Sequence, residues 1–111
     1  MTPTEVALAY FAAVRAKDVD GFVALFAGDA DYIMPNGAHY RGAEEIREAQ
    51  SRVFISGSPV PTPLSMTAGD KGIAVEVEAR LPDGSSRFTA NIYQLNEAGR
   101  IQRLSVYIKT G

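Results

Sequence analysis

The chain has no cysteine, no tryptophan and a single histidine, His39. Without cysteine there is no disulfide, no thiol nucleophile and no cysteine-ligated zinc or iron–sulfur centre. With one histidine, a transition metal would depend on His39 and scattered carboxylates, so no metal and no other cofactor is expected. An excess of one charge is also missing. Eleven basic residues stand against 13 acidic ones, for a net charge of −2, which offers no grip on nucleic-acid phosphates. No apolar run approaches the length of a membrane span. Met1-Thr2-Pro3-Thr4-Glu5 has neither the basic nor the apolar part of a secretory leader. A cytoplasmic protein with no nucleic-acid or membrane partner is therefore expected. What remains is ordinary for a globular chain: 46% of the 111 residues are hydrophobic and 22% charged, too apolar for disorder. That length supports one core, so residues 1–111 are read as one domain.

Helical spacing fills the first half. Thr2 and Glu5 are placed as a capping box, with Pro3 at the first helical position. Val6, Ala7, Tyr10, Phe11 and Val14 then recur at three and four residues, which predicts a helix from Pro3 to Ala16. Asp18 is placed to cap a second helix carrying Phe22, Val23, Leu25 and Phe26, with Gly28 as its stop. Asp31 to Met34 reads as a short strand, Pro35-Asn36-Gly37 as its turn and His39-Tyr40-Arg41 as a second strand. Gly42 opens a third helix with Glu44 and Glu45 in the first turn, where the helix dipole favours acids. Ile46, Ala49, Val53 and Phe54 are its inward positions.

After a proline-rich connection from Gly57 to Pro63 the period changes to two. The predicted strands are Leu64 to Ala68, Ile73 to Leu81, Arg87 to Leu95 and Ile101 to Lys109. Ile73, Val75, Val77, Ala79 and Leu81 share one face; Glu76, Glu78 and Arg80 share the other. Asp83-Gly84 signals a two-residue hairpin, and Asn96 to Gly99 another turn. Three N-terminal helices followed by an antiparallel meander make an α+β protein. If the sheet curls strongly around the helices, a pocket forms between them.

Ala16, Asp18, Asp20, Gly21, Val23-Ala24-Leu25-Phe26-Ala27, Asp29-Ala30, Pro35, Gly42 and Ile46-Arg47-Glu48 resemble the front half of nuclear-transport-factor-2-like proteins, including SnoaL-like domains and bacterial ketosteroid isomerases. Asn96 to Gly99 and the last strand fit the closing hairpin of that family. The resemblance implies three helices packed in a strongly curved, mostly antiparallel sheet, a cone-shaped α+β barrel of cystatin-like topology. It also implies a small apolar ligand and a homodimer. It does not select a reaction, because the superfamily includes isomerases, polyketide cyclases, epoxide hydrolases, dehydratases and non-catalytic binding domains.

Carried over residue by residue, Tyr10 matches the isomerase tyrosine that donates to the developing oxyanion, and Asn91 matches its second oxyanion donor, a protonated aspartic acid. An amide donates without a perturbed pKa. Met34 stands where the isomerase has its general base, just before the proline that ends the first strand. A thioether cannot take a proton from carbon. His39, the one side chain whose unperturbed pKa suits proton transfer near neutrality, is the candidate replacement. Met34, Tyr93, Val106 and Ile108 are expected to line the ligand cavity with Tyr10 and Asn91. Asp31, by alternation, should not share the face of Tyr32 and Met34. Arg41, Arg47, Arg52, Arg80 and Arg87 read as surface residues, and Asp29 as a turn residue.

These residues leave three functions open. One is an enzyme performing proton transfer or water addition on a small, mostly apolar carbonyl compound. Another is a non-catalytic binder using the same pocket. The third is an assembly domain whose outer sheet face pairs with a copy of itself, with Glu76, Glu78, Arg80 and Gln94 around Phe88 and Tyr107 as apolar anchors.

Overall fold

The computed structural model describes residues 1–110. Helix α1 runs Pro3–Ala16 and α2 runs Val19–Ala24. Strands β1 (Phe26–Ile33) and β2 (His39–Arg41) follow, then helix α3 (Gly42–Ile55). The rest is strand: β3 (Val60–Ala68), β4 (Gly72–Arg80), β5 (Ser86–Leu95) and β6 (Ile101–Ile108). The expected caps form. Thr2 accepts from the Glu5 N–H while Glu5 accepts from the Thr2 N–H, and Asp18 accepts from the Gly21 N–H at 3.0 Å. A cap of this kind contributes about 1 kcal/mol.

The six strands form one sheet in the order β2-β1-β6-β5-β4-β3. Only β1 and β6 pair in parallel, because they are the junction between the N-terminal hairpin and the C-terminal meander. The other pairs are antiparallel. The helices lie on one side of the sheet and bury Val6, Phe11, Phe22, Ile46 and Phe54 against Ile73, Val75, Val77, Tyr93 and Leu104. Phe22 is the hub of the aromatic core, with Tyr10 and Phe26 rings each 5.1 Å away and Tyr32 and Phe54 each at 6.2 Å.

Four sequence expectations change. Helix α2 ends at Ala24, and Gly28 lies inside β1 rather than stopping the helix. Strand β1 bulges here: Phe26 pairs with Ile101 but Asp31 with Arg103, so the strand makes more residue steps than β6 does. Such an insertion breaks the alternation that strand reading relies on. Asp29 accordingly sits in this strand, accepting from Gln102 Nε2 at 3.0 Å. Strand β3 starts at Val60 and contains Pro61 and Pro63, which an edge strand tolerates because one of its backbone edges needs no partner. The β4–β5 hairpin has the three-residue loop Pro82-Asp83-Gly84 rather than two: Leu81 N–H donates to Ser85 at 2.8 Å and Gly84 N–H to Leu81 at 2.9 Å. Gly84, at φ 89°, supplies the left-handed residue that such a loop needs.

Candidate functional site: a cavity between the helices and the concave face of the sheet

Strand alternation decides what reaches the interior. On β5 the inward residues are Arg87, Thr89, Asn91 and Tyr93, in order from the rim to the core. Tyr93 is completely buried beneath Tyr10, ring to ring at 5.2 Å and 75°. Above it a cavity of about 140 Å³ opens between α1, α3 and the sheet. Phe11, Val14, Val53, Val77, Leu81 and Val106 give it apolar walls. Tyr10, Tyr32, Gln50, Thr89 and Asn91 add neutral polar groups, and Arg87 adds a cation.

The hydrogen bonding at the inner end is directional. Thr89 Oγ1 donates to Asn91 Oδ1 at 3.0 Å, and Asn91 Nδ2 donates to the Tyr93 hydroxyl at 3.1 Å. An amide has two N–H donors and two acceptor lone pairs, so Asn91 is held in place and keeps one donor and one acceptor uncommitted. Burial holds the Tyr10 hydroxyl well above the ordinary tyrosine value, reinforced by the neighbouring Tyr32 and Tyr93 phenols. Burial raises Tyr32 as well, against the opposing effect of its contact with the Tyr10 hydroxyl. Burial likewise holds Tyr93 well above its ordinary value. All of these phenols are neutral donors at physiological pH.

Four of the expected cavity residues come together: Tyr10, Met34, Asn91 and Val106 share the lining. Tyr93 does not, because Tyr10 and Phe11 cover it and leave only its hydroxyl engaged, as the support of Asn91. Ile108 does not either. Its pairing to Thr89 puts it at the rim, and β1 accompanies β6 only as far as Ser105, so nothing covers Ile108 and it is 41% exposed. His39 is a third departure. Tyr40 faces inward opposite Tyr32, so alternation turns His39 outward, where its Nε2 lies 2.8 Å from Asp31 Oδ1. Asp31 is outside the cavity too, as alternation required. Tyr32, Gln50, Thr89 and Arg87 also line the cavity, and the sequence reading does not assign them to it. Gln50 is only 5% exposed, and a buried glutamine on the inward stripe of an amphipathic helix was the signal available for it.

Among the described residues no group of His, Cys, Asp and Glu side chains gathers to hold a metal, and no helix is long and apolar enough to cross a membrane. The cavity can hold a ring-sized molecule and offer it hydrogen bonds. No carboxylate or imidazole lines it.

Helices resting in a conical, six-stranded sheet with a cavity at their junction define a nuclear-transport-factor-2-like protein of cystatin-like α+β fold. Residues 7–104 match the SnoaL-like domain, and the chain belongs to that family. Among solved structures, a Sinorhizobium meliloti protein provisionally named a polyketide cyclase is similar with TM-score 0.79 and 28% identity, over 92% of this chain and 93% of that one. The epoxide hydrolase/cyclase-like enzyme of pyran ring formation in salinomycin superimposes with TM-score 0.83 at 21% identity, over 97% and 91% of the two chains. A Kribbella flavida protein provisionally named a ketosteroid isomerase gives TM-score 0.85 at 19% identity, over 96% and 77%. No curated protein matches the chain at a significant level.

Proposed function

We propose that residues 1–111 act as one SnoaL-like unit that binds a small, ring-sized compound. The carbonyl or hydroxyl end of that compound would lie against Tyr10 and Asn91. The observation that carries this reading is the chemistry of the lining: neutral donors and acceptors at the inner end, apolar walls above them, and no proton acceptor fit to deprotonate carbon. A general base must come within hydrogen-bond reach of the proton it removes. With Met34 in the wall and His39 on the outer face, the arrangement favours binding over isomerisation. The size fits, since cavities of about 150 Å³ hold one benzene ring.

Calorimetric titration with phenol and with cyclohex-2-enone tests it. The expected result is saturable single-site binding that weakens at least tenfold in Met34→Trp, which fills the cavity, and survives in Met34→Leu. Binding that ignores Met34→Trp, or no binding to the parent chain, overturns the reading.

A homodimer through the outer face of the sheet is the second element of the proposal. Its support is the exposure of Leu64 (55%), Phe88 (43%) and Tyr107 (58%), which line one groove on that face together with Glu76 and Ala90. Contiguous exposed apolar surface of this kind marks association sites.

A further inference from the structure

The cavity lining is chemically asymmetric. Its inner end is neutral, with Tyr10, Tyr32 and Asn91. At the rim of the same wall stands Arg87, the only charged side chain of the lining. It is exposed and pairs with no carboxylate among the described residues. The ion pairs of this chain use His39, Arg41, Arg47 and Arg52 instead. An unpaired guanidinium beside apolar walls is a recognition element for an anion, because its planar donors match a carboxylate and the walls weaken the competition from water.

Building on the reading of the cavity as a ligand site, we propose that Arg87 selects a monocarboxylate. The ligand is a single ring whose hydroxyl or carbonyl meets Tyr10 and Asn91, and whose carboxylate lies at the mouth against Arg87. The strand sets the span. Arg87 and Asn91 are four residues apart on β5, roughly 13 Å between Cα atoms. A ring with polar groups on opposite sides bridges that distance once both side chains reach inward. The apolar walls between the two ends take the ring itself.

The test is a matched pair of probes, 4-hydroxybenzoate and its uncharged analogue 4-hydroxybenzamide, titrated by calorimetry into the parent chain and Arg87→Gln. Arg87 is at the rim and outside the core, so the variant folds. The parent is expected to prefer the carboxylate about tenfold, with the preference shrinking as salt rises. In Arg87→Gln the carboxylate should lose more affinity than the benzamide, so that the preference falls to near unity, and Arg87→Lys should restore part of it. A preference that survives in Arg87→Gln, or equal affinities in the parent, overturns the assignment of Arg87 while leaving the cavity reading intact. A parent chain that binds neither probe overturns both.

Discussion

The two faces of one strand carry opposite chemistry. Toward the helices, β5 presents Thr89, Asn91 and Tyr93, linked by hydrogen bonds, with Asn91 and Tyr93 buried. Toward the outside, the same strand presents Phe88, Ala90 and Gln94, and the strands beside it add Glu76, Glu78 and Tyr107. The division extends across the sheet. Asp31, next to Tyr32 in the chain, and His39, the one histidine, form their pair on the outer side of β1 and β2. Every group that could move a proton near neutrality is thus excluded from the lining of the cavity. Side chains alternate with a period of two, so a single position decides on which side a base stands. Which residue occupies each inward place sets the chemistry of the interior, with no change of fold required.

Moving a carboxylate across that divide has the largest expected effect. Met34→Asp puts a base in the cavity wall, with Tyr10 and Asn91 available as donors to an enolate oxygen. The variant should isomerise cyclohex-3-enone to cyclohex-2-enone about 10²–10⁴-fold faster than the parent chain, the range general-base catalysis supplies. Adding Tyr10→Phe should remove the gain. The partly buried carboxylate should lower stability by about 1–3 kcal/mol. The ultraviolet absorbance of the conjugated product reports the rate. A folded Met34→Asp variant that binds the ketone without turning it over would mean that the donors do not meet the oxygen.

The contrast between faces also has a stability version. Tyr93→Ala leaves a void beneath Tyr10 and Phe11 and should cost about 3–5 kcal/mol, read as a lower midpoint of urea unfolding. Phe88→Glu, five residues earlier on the same strand and pointing the other way, should change monomer stability by less than about 0.5 kcal/mol. It should instead convert the proposed dimer to monomer in sedimentation. Equal losses of stability from the two changes would contradict the division of the strand, and a parent chain that sediments only as a monomer would contradict the outer interface.

The elements governed by local rules are legible in the sequence. The capping box of α1, the Asp18 cap and the alternation of β4 are written in neighbouring residues, and they lie where the sequence puts them. The expectations that failed depended on partners distant in the chain. Pro61 and Pro63 look like a linker until β3 is known to be an edge. Ile108 has the right parity for the cavity but stands where β1 no longer covers β6. Tyr93 has the right parity too, but sits too deep. Arg87 on β5 and Gln50 on α3, a helix that packs against β1 and β2, border one cavity only through the tertiary fold, and no local pattern states that meeting.

The smallest expected effect concerns the buried phenols. Burial raises the pKa of Tyr10, Tyr32 and Tyr93 in the folded chain, whereas in the unfolded chain a tyrosine titrates near 10. Below that pH both states keep these protons, and the contribution to stability is fully present. As pH rises past about 10 the unfolded chain releases protons that the folded chain retains. Proton release then favours unfolding, and stability falls with increasing pH. The fall should continue until the folded-state values are passed. Urea unfolding at pH 8 through 11 should therefore show a plateau followed by a decline. Each phenol taken away should make that decline shallower, so Tyr10→Phe should flatten the alkaline limb while leaving the shape of the curve below pH 9 unchanged. Absorbance of tyrosinate should separate the same groups, with the buried set ionising only as the chain unfolds. An alkaline limb that Tyr10→Phe leaves as steep as before would mean that the Tyr10 hydroxyl meets water freely, and that the inner end of the cavity is wetter than its lining implies.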